Sequence, residues 1–206
     1  MSLVEKIIPK QITGFKTGSR ASFTAPTKSD AKNLFADARH RLQNINSWFL
    51  ICGETGAHFQ LTDEDGNAME NHSPAVGNLI RIKLPAPPNE DGNGYDWVRI
   101  EKLEEDEDVA KDEQIFGFRV RPVGNPGKRT DATSHFYTSE ATSTFLVYRK
   151  ENVVSVLERG RNESPNTSGN FFNRLRNFVV AITASFGFSK PQWKTLVSGV
   201  LNAPAY

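Results

Sequence analysis

The sequence is poor in cysteine, since Cys52 is the only one among 206 residues. An internal disulfide and a zinc site built on cysteine thiolates are therefore excluded. A large excess of charge is also lacking, because the formal net charge is only +1. A chain so close to neutral has no long-range attraction to nucleic acid or to an anionic membrane surface, so we predict no nucleic-acid partner.

Long hydrophobic runs are missing as well. The apolar run at 178–182 is far shorter than the roughly 20 residues that span a bilayer, so we predict no membrane span. The first residues, MSLVEKIIPKQ, carry Glu5, Lys6 and Lys10, whereas a secretory signal requires an unbroken apolar core. We therefore expect a cytoplasmic protein.

Residues at the spacing of metal ligands are not found. None of the histidines stands within four residues of another histidine or of the cysteine; they are His40, His58, His72 and His135. The segment 63–67 resembles a calcium loop and 124–130 a phosphate-binding loop, but the positions that define each loop hold other residue types. We predict no metal, nucleotide or redox cofactor.

The residues that are present predict an α+β fold. Apolar and polar residues alternate in several short segments, a pattern typical of strands with one buried face; these are 21–25, 57–62, 80–84, 97–103, 116–121, 144–149 and 153–159. Helical spacing predicts one or two helices from 28 to about 50. It also predicts a C-terminal helix with Leu175, Phe178, Val179 and Ile182 as its inner face, and a second helical piece beginning near Ser189. Strands so close in sequence favour an antiparallel sheet of six or seven strands.

Two polar segments between the strands are interpreted as loops. The sequence Lys150-Glu151-Asn152 predicts a three-residue hairpin loop with Asn152 in the left-handed conformation. Residues 101–113 carry eight acidic side chains and two lysines, a composition typical of a solvated loop whose charges repel one another. The alternative for this acidic loop is a docking surface, around Glu104 to Asp108, for a basic protein partner.

The order of the elements resembles that of the START-like superfamily, also called polyketide-cyclase-like or helix-grip proteins. The features that carry the resemblance are the first strand from Ala21 to Ala25, the helical segment ending near Trp48, and the long final helix. A break at Gly187 departs from the single final helix that is usual in that superfamily. The resemblance covers about 20–201 and implies one domain over 1–206, in which a curved sheet grips the C-terminal helix and encloses a cavity.

Phenylalanine is abundant, with 14 residues against 3 tryptophans and 4 tyrosines. A plain packed core would account for these rings. The resemblance implies instead that they line a cavity which binds a small apolar or amphipathic ligand without transforming it. The residues expected to line it are Phe59, Phe118, Phe145, Phe178 and Ile182. Arg161 and Asn162, which precede the last helix, are expected at its mouth, where they would bind a carboxylate or hydroxyl group of the ligand.

Two other classes of function stay open. A cyclase- or dehydratase-like enzyme would use the same cavity, but it requires a titratable group inside the cavity. The strand faces that carry phenylalanine are almost entirely apolar, so we predict no catalytic residue and favour a non-catalytic protein. A protein-interaction module of the co-chaperone type would use the outer face of the sheet or the acidic loop.

Overall fold

The computed structural model describes residues 3–52, 57–84, 92–128, 135, 137–164 and 190–202. In these ranges the strands are β1 (Ser19–Thr24), β2 (His58–Thr62), β3 (Leu79–Lys83), β4 (Asp96–Asp108), β5 (Glu113–Pro122), β6 (Thr142–Lys150) and β7 (Val153–Arg161). The α-helices are α1 (Lys28–Gln43), α2 (Trp48–Cys52) and α3 (Lys190–Leu201).

The seven strands form one curved sheet in the order β1-β7-β6-β5-β4-β3-β2, and every neighbouring pair is antiparallel. Strands β2 to β7 follow one another as a meander, and β1 joins the free edge of β7. With helices after β1 and at the C-terminal end, this is the helix-grip arrangement, which confirms the predicted fold class. The predicted inner face of the final helix, Leu175, Phe178, Val179 and Ile182, lies outside the described residues.

Helix α1 begins at a side-chain cap provided by Thr27. The Thr27 hydroxyl accepts a hydrogen bond from the backbone amide of Asp30 at 3.1 Å, satisfying one of the amides that a helix leaves without an intrahelical partner. Apolar side chains then recur on one face and are buried against the sheet: Ala31, Leu34, Phe35, Ala38 and Leu42.

Loss of this cap gives a first testable prediction. Thr27→Ala is expected to lower the free energy of unfolding by about 1 kcal/mol, because the Asp30 amide loses its acceptor. Thr27→Ser keeps the hydroxyl and is the control, with a change close to zero. Urea unfolding followed by circular dichroism measures both; equal losses in the two variants would contradict the role of the hydroxyl.

The inner face of the sheet, which packs against the helices, holds the main core. Alternate residues of the central strands point to it, and α3 adds Leu196, Val197, Val200 and Leu201, as the helical spacing of its sequence predicts. Arg41 of α1 fixes the end of α3, because its guanidinium donates hydrogen bonds to the carbonyl oxygens of Val200, at 2.9 Å, and Leu201, at 3.2 Å. These bonds satisfy carbonyls at a helix end that have no partner within the helix.

The outer face carries a second, smaller core that the sequence did not predict. Leu3 and Ile7, from the first described residues of the chain, pack on side chains of β5, β6 and β7; these are Ile115, Leu146 and Leu157. Further along, the backbone of Phe15 exchanges two hydrogen bonds with that of Glu163, at 2.9 and 3.1 Å. The central strands are therefore buried on both faces.

The interpretation of residues 101–113 as an acidic loop is wrong. Strand β4 continues to Asp108 and pairs with β5 over this length. Its acidic side chains meet cations brought by other elements: Glu101 pairs with Arg119 and Arg121, Glu105 with Arg39, and Asp106 with Lys6. These partners offset the repulsion between neighbouring acidic groups, so the segment can take part in the sheet.

The turn between β6 and β7 also differs from the prediction. Lys150 pairs directly with Val153, so the loop has two residues, and the left-handed residue is Glu151, with φ 52°. Asn152 has another function, because its side-chain amide nitrogen donates to the Ala25 carbonyl oxygen at 3.0 Å and its backbone carbonyl oxygen accepts from the Ala25 amide at 2.8 Å. The turn thereby holds the end of β1.

Candidate functional site

Three of the predicted ligand-contacting phenylalanines meet on the inner face. Phe59 of β2, Phe118 of β5 and Phe145 of β6 surround the ring of Trp48, with centroid distances of 5.3, 6.1 and 5.1 Å. Trp48 is 1% exposed, and its indole nitrogen donates to the Leu42 carbonyl oxygen at 3.2 Å. In the sequence Trp48 marks only the end of a helical segment, and no local pattern there identifies it as the residue that joins the rings.

Helix α3 adds a second tryptophan to this group. The half-buried ring of Trp193 lies 5.2 Å from Phe145 and 6.1 Å from Phe59, measured between centroids. We refer to Trp48, Phe59, Phe118, Phe145 and Trp193 as the aromatic cluster. The other two predicted cavity residues, Phe178 and Ile182, lie outside the described residues, so their place in the lining stays a prediction.

Arg161 and Asn162, predicted at the cavity mouth, bind the backbone of the N-terminal segment. The Arg161 guanidinium donates to the carbonyl oxygens of Gly160, at 2.6 Å, and Thr17, at 3.3 Å. The side-chain oxygen Oδ1 of Asn162 accepts from the Ile12 amide at 2.7 Å, and Asn162 is in the left-handed conformation, with φ 55°. The structure does not group them with the aromatic cluster, and their contact with a ligand stays a prediction.

The inner face also carries an acidic residue that the sequence analysis missed. Glu158 follows Val154 and Val156 at alternate positions of β7, and both valines belong to the main core. Its cross-strand partners are Phe145 on β6 and Ser19 on β1. Glu158 is 1% exposed, and among the described residues no donor makes a hydrogen bond of standard geometry to either oxygen of its carboxylate. A buried carboxyl group thus stands directly beside the aromatic cluster.

A second carboxyl group lies over the next inner-face position, Gly160. A β-carbon placed on Gly160 would come within 2.2 Å of Glu163 Oε1 and within 2.2 Å of the Thr17 hydroxyl oxygen. Alternate residues of a strand share a face, so this β-carbon would point to the same side as the Glu158 side chain. Glycine therefore leaves the space that the Glu163 carboxylate occupies on the inner face.

The electrostatics of these two glutamates, which we call the carboxylate pair, follow from their burial. Burial and the neighbouring Glu163 carboxylate raise the pKa of Glu158 to about 8, although Arg159, Arg161 and the Ser19 backbone amide act to lower it. Burial also raises the pKa of Glu163, against a lowering by the Thr17 hydroxyl and by Arg161. At neutral pH the pair therefore holds a proton.

Tyr137 and His135 lie in the same region. Burial, and then Glu163 and Glu158, raise the pKa of the Tyr137 phenol, so this group stays protonated. Burial lowers the pKa of His135 to about 3, which keeps its imidazole neutral. The ring centroids of the two are 5.9 Å apart, and the His135 Nδ1 atom accepts a hydrogen bond from the Tyr137 backbone amide at 3.0 Å.

This arrangement has a definite chemical capacity. A buried carboxyl group that titrates near neutrality can donate a hydrogen bond, accept one, or transfer a proton.

Within the described ranges, no group of three or more histidine, cysteine, aspartate or glutamate side chains is placed to hold a metal ion. None of the described helices combines the length and apolar character needed to cross a membrane.

Comparison with known proteins gives structural neighbours only. No protein-family model and no curated protein matches the chain. Ara h 8.0201 is 9% identical, with a TM-score of 0.35 over 92% of this chain and 100% of that one. A truncated norcoclaurine synthase from Thalictrum flavum is 8% identical, with a TM-score of 0.39 over 94% and 96%. A major latex-like protein from Panax ginseng is 12% identical, with a TM-score of 0.33 over 83% and 97%. At such low identities and TM-scores, the fold assignment depends on the sheet order and helix positions described above.

Proposed function

We propose that the inner face of the sheet binds a small apolar or amphipathic molecule, with the aromatic cluster contacting its apolar part. The observation that carries the proposal is the position of Glu158, a carboxyl group that is 1% exposed, has no hydrogen-bond partner among the described residues, and lies directly opposite Phe145 in the sheet. Burying a polar group without a hydrogen bond costs about 1–3 kcal/mol, and more for a charge. A position that served only to fill the core would be more stable with an apolar side chain.

The aromatic cluster supports the same proposal from the apolar side. Ligand sites in proteins are lined mainly by apolar and aromatic side chains, with a few polar groups that orient the ligand. The cluster supplies the first part and the carboxylate pair the second, on the same face of the sheet. Trp193 of α3 is half-buried and its ring contacts those of Phe145 and Phe59, so the cluster extends from the sheet to the final helix.

Binding of an uncharged, environment-sensitive dye such as Nile red tests the proposal. We expect about one dye per native chain, with higher fluorescence than in water. Phe145→Leu is expected to weaken dye affinity about tenfold or more, equivalent to about 1.4 kcal/mol. Phe178→Ala, or a bulky residue at Ala181, is expected to weaken it as well.

Leu146→Val provides a matched control for Phe145→Leu. Leu146 is the next residue of β6, is equally buried and points to the outer core, so its truncation removes packing without touching the inner face. Dye affinity should stay within about twofold of the unmodified protein, since no contact with the dye changes. No stoichiometric binding by the folded protein, or equal weakening in both variants, would overturn the proposal.

A second candidate function is the cyclase- or dehydratase-like enzyme, and Glu158 is the specific observation in its favour. Such reactions need a group that donates or accepts a proton near neutral pH, and the pKa of Glu158 is about 8. Hydroxyketones that displace the dye would be the compounds to assay, with loss of water followed by mass spectrometry. Conversion that Glu158→Gln abolishes, with dye binding retained, would favour the enzyme.

A further inference from the structure

We propose that the polar end of the bound molecule is an ammonium group, supplied by an amine with an apolar body, and that the carboxylate pair Glu158 and Glu163 holds it. This inference rests on the proposed function and names the class of ligand. The unpartnered oxygens that carry it are Oε1 and Oε2 of Glu158 and Oε2 of Glu163. The two residues are 1% and 4% exposed, so bulk water does not hydrate these oxygens.

In the ionised form, which a bound cation favours, the oxygens that lack partners are all acceptors, so the missing group is a donor. An ionised carboxylate has about four sites that accept hydrogen bonds and none that donates. An ammonium group brings several N–H donors together with the opposite charge, and such charge-assisted hydrogen bonds are about twice as strong as neutral ones. A single hydroxyl donor would satisfy only one of the three oxygens.

In the described part of the chain, the two arginines whose charges act on Glu158 are already engaged in other hydrogen bonds. Arg159 donates to the carbonyl oxygens of Ser19 and Glu158, both at 2.8 Å. Arg161 donates to those of Gly160 and Thr17. Their guanidinium groups act on Glu158 through space rather than by a hydrogen bond to its carboxylate. An anionic ligand end would meet two acidic groups, whereas an ammonium end would balance their charge.

The neighbouring rings favour the same ligand class. Phe145 is the cross-strand partner of Glu158, and cross-strand side chains start about 5 Å apart. An ammonium group beside Glu158 would therefore lie close to an aromatic ring, which attracts cations through its negative face. The apolar body would extend toward Trp193, whose ring centroid is 5.2 Å from that of Phe145.

The geometry links amine binding to proton release. The titratable and charged groups that act on Glu158 in the described residues are Glu163, Arg159 and Arg161, with the protonated Tyr137 nearby. In the free protein Glu158 is mostly protonated at pH 7, because its pKa is about 8. A bound ammonium ion favours the ionised carboxylate, so binding at pH 7 releases close to one proton. Affinity for the amine should rise as the pH increases from 6 to 8.

Three probes of equal chain length separate the possibilities: octylamine, octan-1-ol and octanoate. Each is titrated against the full chain with Nile red as the displaced dye, and the amine is also followed by calorimetry in two buffers of different ionisation enthalpy. We expect octylamine to bind about tenfold or more tightly than the other two, because only the amine forms charge-assisted hydrogen bonds with the pair. The buffer comparison should show release of a proton.

Variants assign the effect to the carboxylate pair. Glu158→Gln, and separately Glu163→Gln, should weaken octylamine about tenfold and octan-1-ol by less than about twofold. Glu64→Gln removes the same charge from the exposed turn after β2 and should change neither affinity. Because two single substitutions report on the same acceptor group, misfolding of one leaves the other as the test.

The outcomes distinguish this inference from the proposed function. Equal affinity for the three probes, or an equal effect of Glu158→Gln on all three, would refute the amine while leaving the apolar site in place. Tighter binding of octanoate would refute it as well and would favour Arg161 or Asn162 as the polar contact. Failure of the dye and of every probe to bind the folded protein would refute the proposed function itself.

Discussion

Replacing Glu158 with glutamine is expected to stabilise the ligand-free protein increasingly as the pH rises. Between pH 4 and pH 9, the free energy of unfolding of the variant should gain about 4 kcal/mol relative to the unmodified protein. The carboxyl group has a pKa of about 8 when folded, against an ordinary value of 4.5. Above pH 4.5 the unfolded chain releases this proton while the folded protein retains it, so folding becomes less favourable until the pH passes 8. Glutamine has no proton to lose.

Urea unfolding at several pH values, with and without the substitution, measures this difference. His135 contributes in the opposite sense, because its folded pKa of about 3 makes the protein more stable as the pH rises toward 6.5. That contribution is the same in both proteins and cancels in the comparison. The buried amide of glutamine adds an offset that does not depend on pH. A constant difference from pH 4 to pH 9 would contradict the assignment of Glu158 as a buried, protonated group.

Removal of the Trp48 side chain should have an effect of similar size. Trp48→Ala is expected to lower the free energy of unfolding by about 3–5 kcal/mol, because this buried ring contacts Phe59, Phe118 and Phe145 together. The substitution leaves an apolar cavity the size of an indole ring. Such cavities bind small aromatic molecules, so added indole should restore part of the lost stability in proportion to its concentration.

Trp48→Phe is the control for this experiment. Phenylalanine keeps a ring between its neighbours, so a loss of about 1–2 kcal/mol is expected, with little recovery on adding indole. Thermal unfolding with and without indole measures both variants. A fall of less than about 1 kcal/mol for Trp48→Ala would show that the ring is not the centre of the inner core.

Most of the fold follows from periodicity in the sequence. The strands around Phe59, Phe118 and Phe145 were recognisable because one face of each is apolar, and the meander brings together strands that are close in the chain. The site was predictable only for its apolar half. The central position of Trp48 could not be predicted, because it depends on three strands that converge on its ring, and no local sequence pattern indicates such contacts.

Glu158 could not be assigned from β7 alone. Val153, Val154, Val156 and Leu157 are apolar on both faces of the strand, because Leu157 belongs to the outer core that Leu3 and Ile7 cover. Alternation therefore puts residue 158 on the same face as Val154 and Val156, but it does not indicate which face of the strand is the inner one. The register with β6 decides it, since Phe145 is paired with Glu158. A sequence signal does exist in hindsight: Val154, Val156 and Glu158 are alternate residues on one strand.

The acidic part of β4 shows the same limit for charge. Residues around Glu105 and Asp106 resemble a loop when their charges are counted along the chain. Their partners, Arg39 and Lys6, come from a helix and from the N-terminal segment. Ion pairs with elements distant in sequence allow a segment of mutually repelling acidic residues to form a strand. The composition of that segment alone contains no information about these partners.

The position of β1 at the edge of β7 sets the order in which the protein can form during synthesis. Ala25 and Asn152, which hydrogen-bond where the two strands meet, are 127 positions apart. When β1 and the N-terminal segment leave the ribosome, the strand and the outer face that they will contact have not been made. The meander from β2 to β5 can pair as it emerges, whereas the N-terminal residues must wait for β6 and β7. During that interval the apolar side chains of Leu3 and Ile7 lack the surface of β6 and β7 that they cover in the folded protein, so this stretch is exposed to chaperones and to non-native association.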